Sequence, residues 1–346
     1  MKQHGITDIE VSDEAFRLTA RIRAFYRRVH AERSDPASMW SAFDHGPRQA
    51  MHDLLMTGQL EEIGRALLDP ASTYLFYGFD ELFLEHAELL TKDPSARAAH
   101  QALVSDALAR LSDAMGRPTS CPHEALAVAH AGTGGLLAFP TPFVREFGLK
   151  TDHGTISYRA AQSAYQAWRL MTLGGGRVLE IGAGLGRTAH QAYRLGMTDY
   201  TIVDLPLTMV AQAFFLGMAI GPDRVSLWGE PAFAREAGIR IAPPSWLETC
   251  DEDFDIALNA DSMTEMSRLT ATRYVSKITR SAAIFLSINH IDNTFTVADL
   301  MAESGHHSEP IACPMRDGYI EEIYRLSAPS MALARVPGLT GAAALI

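Results

Sequence analysis

Cysteine is scarce in this chain. Its 346 residues hold three, Cys121, Cys250 and Cys313, far apart and without a C-x-x-C pair. That spacing argues against a disulfide framework or a thiolate zinc site and fits free thiols in a reducing cytoplasm. Long apolar runs are lacking too. No stretch approaches the roughly eighteen apolar residues that a membrane-spanning helix needs, and Met1 to Glu10 lacks the apolar core of a signal peptide. Segregated charge is the third absence. The formal net charge is −11, with 15 Lys+Arg against 20 Asp+Glu in residues 1–150 and 15 against 21 in the remainder. Without a basic face, nucleic acid is an unfavourable partner, because backbone phosphates demand concentrated cations. The thirteen histidines form no H-x-H or His–acid cluster at ligand spacing, so no metal site is read.

What the chain does have is residues 174–206, GGGRVLEIGAGLGRTAHQAYRLGMTDYTIVDLP. Val178 to Ile181 read as a buried strand. Gly182, Gly184 and Gly186 follow, then a helical run from Arg187 to Leu195 stopped by Gly196. A second strand, Tyr200 to Val203, ends on Asp204. Glycines permit the positive φ angles of a tight turn and let a ligand approach the backbone. The next helix points its free N–H groups at that ligand. A dinucleotide site wants G-x-G-x-x-G/A, but its third position here is Arg187. Glu180, two residues before the first glycine, would repel a pyrophosphate and suit an ammonium group. Asp204 is placed to accept from two ribose hydroxyls. A ligand with both features is S-adenosylmethionine (SAM), with S-adenosylhomocysteine as product. A nicotinamide cofactor and a non-catalytic scaffold are the competing readings.

The flanks complete the pattern. From about 11 to 111 the periodicity is helical, starting at Ser12-Asp13-Glu14, with further helices at 47–68, 73–91 and 94–115. Arg21, Arg23, Arg27 and Arg28 read as a solvated face. Phe76, Tyr77, Phe79 and Phe83 read as core, a dimer contact or a lid. Residues 116–154 read as a turn-rich connector, and 157–173 as an amphipathic helix. Later strands are expected at 225–230 (with its exit loop), 254–258, 282–288 and, antiparallel, 318–326. This gives an α/β fold: a Rossmann-like, mostly parallel sheet over 151–328 with one late antiparallel strand. A mostly helical N-terminal part, 1–150, is read as a substrate cap or homodimer contact, and 329–346 as a loose tail.

Glu180 to Gly186 and Val203-Asp204-Leu205-Pro206 resemble the first and second motifs of class I SAM-dependent methyltransferases. Ala260 to Met266, Ser287 to His290 and Arg316 to Tyr324 extend this to a resemblance, over about 150–327, to the sugar O-methyltransferase family. The resemblance implies a methyltransferase acting on a small molecule, such as a sugar or secondary-metabolite hydroxyl. It implies cofactor contacts from Glu180, Gly182, Gly184, Gly186, Asp204, Leu205 and Asn259, with Trp228 and Glu230 beside the adenine. Tyr158 or Gln162 would reach the pocket. A base for the acceptor would lie among Asp261, Glu265 and His290, with His290 favoured because imidazole titrates near neutral pH. Arg316, Tyr319 and Glu321 are candidate substrate contacts. Because Asp261, Glu265 and Glu321 could also hold a cation, an amine or guanidine acceptor is the alternative.

Overall fold

The computed structural model describes residues 9–32, 37–69, 73–78, 84–144, 146–234 and 238–326. Seven helices lead: α1 (Asp13–Val29), α2 (Met39–Asp44), α3 (Gln49–Thr57), α4 (Leu60–Leu68), α5 (Leu84–Lys92), α6 (Pro94–Ala114) and α7 (Pro122–Gly132). Ser12 caps α1 by accepting from the Ala15 N–H, and α1 buries Leu18, Ile22, Phe25 and Val29 along one stripe. The expected helix over 47–68 is two helices. Gly58 ends α3, and the Gln59/Glu62 capping box starts α4. Phe76 packs edge-on against Phe143 at 5.1 Å, while Phe79, Phe83 and the tail lie outside the described residues.

A short hairpin, β1 (Leu149–Thr151) and β2 (Gly154–Ile156), precedes α8 (Tyr158–Thr172). The αβ alternation follows: β3 (Val178–Ile181), α9 (Arg187–Arg194), β4 (Asp199–Val203), α10 (Pro206–Ile220), β5 (Val225–Leu227), β6 (Gly238–Ala242), α11 (Pro244–Thr249) and β7 (Phe254–Ala260). It closes with α12 (Arg268–Ser281), β8 (Ala282–His290), α13 (Val297–Glu303), β9 (Ile311–Ala312) and β10 (Tyr319–Arg325). The large sheet has the order β5-β6-β4-β3-β7-β8-β10-β9. All pairings from β5 to β8 are parallel, and β10 runs antiparallel to β8. This is the expected Rossmann-like sheet. Strand order reverses at β3, so a crevice opens at the carboxyl ends of β3, β4 and β7, where open α/β sheets bind ligands.

The strand beside β4 is β6 rather than the expected 225–227, which forms the edge. Residues 238–242, GIRIA, escape a pattern reading because Arg240 sits mid-strand yet is buried. Its guanidinium pairs with Glu252 at 2.7 Å and lies over the Phe233 and Trp246 rings. The helix α10 is apolar all round because it is covered by the sheet on one side and α1 on the other. Of the α1 arginines, Arg27 and Arg28 are exposed as expected, whereas Arg21 and Arg23 are half-buried. Arg21 forks onto Glu230 at 2.6 Å, and Arg23 and Arg27 donate to the closing carbonyls of α3.

Glu321 and Glu322, adjacent on β10, are both buried, because α8 covers one face of the strand and Tyr324 and Ser308 partner Glu322 on the other. Glu321 accepts from the Tyr165 hydroxyl at 2.6 Å and from Arg169 at 2.6 Å. Removing one partner of a buried pair strands the other charge. Arg169→Met is therefore expected to cost about 3 kcal/mol of unfolding free energy. Urea denaturation measures this, and a loss below about 0.5 kcal/mol would remove the pair from the forces holding α8 to the sheet.

Candidate active site

A cavity of about 1000 Å³ lies at the carboxyl ends of β3, β4 and β7. Its floor is the turn after β3. Gly182, Gly184 and Gly186 all have positive φ, and Gly186 is the N-cap of α9. At Gly182 the requirement is steric as well, since a Cβ there would meet the Ser262 hydroxyl oxygen at 2.1 Å. That hydroxyl donates to the Ile181 carbonyl at 2.9 Å, and the Asn259 amide donates to the same carbonyl at 2.9 Å. Asn259 is thus a buried clasp between the tips of β3 and β7, not part of the cavity wall.

Glu180 and Asp204 share one wall. Glu180 is buried and accepts from the Tyr200 hydroxyl at 2.8 Å. Burial pushes its carboxyl up to about 8, with the Asp204 charge adding to the rise against the Tyr200 bond. Asp204 accepts from the N–H groups of Ala183 (2.9 Å) and Leu205 (2.7 Å) and from Gln212 (2.6 Å). Burial raises it to about 6, held down by these donors and by the Arg48 guanidinium. Leu205 also lines the cavity. In the wall formed by α8, Arg159, Gln162, Ser163 and Gln166 face inward, and Tyr158 does not. Adjacent helical residues point about 100° apart, so a one-residue error turns a lining residue away. Gln162 is 4% exposed, and its Nε2 has no partner among the described residues.

Beyond Gly182 the cavity runs past the end of β7. Asp261, a non-glycine at φ 69°, accepts from Arg159 at 3.2 Å and from Arg316, whose guanidinium lies 3.6 Å from the Tyr319 ring centre. Glu265 accepts from the Trp40 indole N–H at 2.8 Å, and the Ser38 hydroxyl donates to its backbone carbonyl at 3.2 Å. Burial lifts the Glu265 carboxyl to about 7. Ser38, Trp40 and Gly78 bring the N-terminal segments into the wall, which the sequence reading missed. No local signal marks the bonds of Ser38 and Trp40 to Glu265, which lies more than 200 residues away.

Other expected residues lie outside the cavity lining. The His290 ring packs edge-on against Tyr319 at 4.9 Å over Gly318, where a Cβ would meet its Nε2 at 2.9 Å, and its Nδ1 accepts from the Asp292 N–H at 3.0 Å. Arg316 and Tyr319 back Asp261 from behind. Glu321 is occupied by α8. Trp228 and Glu230 follow the edge strand β5, with Glu230 drawn to Arg21. In their place, beside β4, Pro244, Leu247 and Glu248 after β6 line the cavity together with Tyr274 of α12. Among the described residues there is no cluster of three potential metal ligands and no helix long and apolar enough to cross a membrane.

No family model matches the chain, and no curated protein matches it. Solved structures do. Magnesium protoporphyrin IX methyltransferase from Synechocystis PCC 6803 with bound SAM overlaps 49% of this chain and 80% of its own, at 10% identity and TM-score 0.36. The methyltransferase domain of bacterial CtHen1-CN overlaps 48% of this chain and 97% of its own, at 10% identity and TM-score 0.37. A DhpI complex with S-adenosylhomocysteine overlaps 49% and 84%, at 14% identity and TM-score 0.35.

The raised carboxyls make stability pH-dependent. Between pH 6.5 and 8.5 the folded protein retains protons on Glu180 and Glu265 that the unfolded chain has lost, so stability falls as pH rises. The buried histidines, lowered by desolvation, act oppositely but only below about pH 6.5. The melting temperature of the ligand-free protein is expected to decline from pH 6.5 to 8.5, and Glu180→Gln to flatten that decline. An unchanged slope in the variant would remove Glu180 as its source.

Proposed function

We propose that the chain is a SAM-dependent methyltransferase acting on a hydroxyl of a small molecule. The observation that carries the reading is the joint placement of Glu180 and Asp204 on one cavity wall, with the glycine turn between them and Glu265 beyond. The donor set fits the cofactor. Glu180 suits the ammonium group, Arg159 and the Nε2 donor of Gln162 suit the carboxylate, and Asp204 suits the ribose diol. When bound, SAM supplies an electrophilic methyl group on a cationic sulfur.

The residues of the chain then divide the work. Glu180 ionises against the cation, which releases the proton that it holds at neutral pH. Glu265 receives the acceptor's proton as the methyl passes to its oxygen and S-adenosylhomocysteine is left. A carboxyl near 7 is matched to that transfer at neutral pH. Trp40 fixes the carboxylate by its indole N–H. Asp261 is engaged by Arg159 and Arg316, and Glu321 by α8, so neither is an uncommitted carboxylate for a guanidinium. This supports a hydroxyl over an amine acceptor, and the sequence resemblance to sugar O-methyltransferases supports a sugar among hydroxyl compounds.

Calorimetry with SAM tests the cofactor assignment. Micromolar binding lost in Asp204→Ala, with proton release near pH 7.5, is the expected result; binding without proton release would remove Glu180 from the ammonium site. In an acceptor screen with labelled SAM, Glu265→Gln is expected to lower kcat about 100-fold or more, with His290→Ala near wild type. The reverse ranking would move the base to His290.

A further inference from the structure

One helix of the cavity wall departs from the charge balance of the chain. The formal net charge is −11, yet α12, RLTATRYVSKITRS, holds four cations and no acid. Arg273, Lys277 and Arg280 all line the cavity, at the i, i+4, i+7 spacing that shares one helix face. Like charges so spaced repel each other. Arg280 alone of the three lies in the last turn, where the helix dipole offsets that cost. Arg273 and Arg280 are exposed, while Lys277 is half-buried and donates to the Cys250 carbonyl at the end of α11. Among the described residues no acid pairs with any of the three. The other two arginines of the lining are paired, Arg159 with Asp261 at 3.2 Å and Arg187 with Glu146 at 2.7 Å. Glu248, exposed on α11, lines the cavity without joining the row.

We propose that this row is an anion site for a phosphate-bearing acceptor. The hydroxyl to be methylated would be presented on a molecule such as a sugar phosphate or sugar diphosphate, with its phosphate groups held by Arg273, Lys277 and Arg280. The inference rests on the methyltransferase reading and specifies its acceptor class. Position supports it, because α12 starts three residues after Glu265, and Leu269 in its first turn carries the cavity wall on towards the row. At 1.5 Å per residue, Arg273 to Arg280 spans about 10 Å. Three cations over that length exceed what one carboxylate uses and suit an extended anion with several charges. Guanidinium forks match phosphate oxygens bidentately, and the lysine adds a point charge. In a chain of net charge −11, a local row of cations is also what draws such an anion to the cavity.

Inorganic pyrophosphate is the probe, titrated calorimetrically into the full chain without added divalent cations, first ligand-free and then saturated with S-adenosylhomocysteine. Binding is expected in both states. Combining Arg273→Gln with Arg280→Gln is expected to weaken it about tenfold or more. Both side chains are exposed, so the double variant is expected to fold, and its melting curve checks this. Arg268→Gln is the control, because Arg268 is exposed on the same helix, is paired with Glu303 and does not line the cavity. It is expected to change the affinity by less than about twofold. Absence of binding to wild type, an unchanged affinity in the double variant, or an equal loss in Arg268→Gln would overturn the site. Citrate binding as tightly as pyrophosphate would overturn the phosphate assignment. Displacement of pyrophosphate by S-adenosylhomocysteine would put the row inside the cofactor's footprint and overturn the acceptor assignment. Pyrophosphate binding by a chain that takes up no S-adenosylhomocysteine would instead count against the methyltransferase reading beneath it.

Discussion

Two carboxyl groups at the tips of adjacent strands face one cavity, and the groups packed around them decide which of the two carries charge. Glu180 and Asp204 each raise the free energy of the other's charge, and burial raises both. The surrounding donors treat them differently. Asp204 receives two backbone N–H groups and an amide, while Glu180 receives a single tyrosine hydroxyl. The ligand-free wall therefore holds one carboxyl titrating near 6 and one near 8. Under the proposed function a cationic ligand group must displace the proton that Glu180 holds at neutral pH, so affinity at this wall rises with pH through about 8.

The strand tips can bear this load because they are clasped. Asn259 and the Ser262 hydroxyl both donate to the Ile181 carbonyl, and Asn289 donates to Asn259, so the ends of β3, β7 and β8 are tied together. The clasp, rather than the ligand, forbids a side chain at Gly182. The N-terminal helices add a second restraint. Leu18 of α1 packs within 2.7 Å of where a Cβ of Gly217 on α10 would stand, and Arg21 binds the exit of β5 through Glu230. The apolar core runs without a break from α1 through α10 into the sheet.

Legibility followed the range of the interactions. The strand–glycine–helix–strand unit is local, so its elements and both terminal acids could be read from thirty-three consecutive residues. The antiparallel β10 was readable from its alternation. The strand β6 was not, because an arginine in a five-residue strand looks solvated until Glu252, Phe233 and Trp246 are folded around it. His290 sits at a strand tip as expected, yet Gly318, just before β10, leaves room for the ring to lie away from the cavity. Tyr158 and Arg159 differ by one residue, and helix phase decided between them. Ser38, Trp40 and Arg48 were missed because the contacts that bring them to the site, to Glu265 and Thr208, are tertiary.

That last group bears on how specificity is built. The carboxylate proposed as the acceptor's base lies on the segment after β7, but the indole that fixes it and the cation stacked on that indole come from residues 40–48. Under the proposed function, the cofactor half fixes where the methyl group is delivered. The N-terminal segment sets the shape of the acceptor wall and the state of its base. Changes confined to residues 38–48 and 78 would alter the acceptor while leaving Glu180 and the clasp untouched.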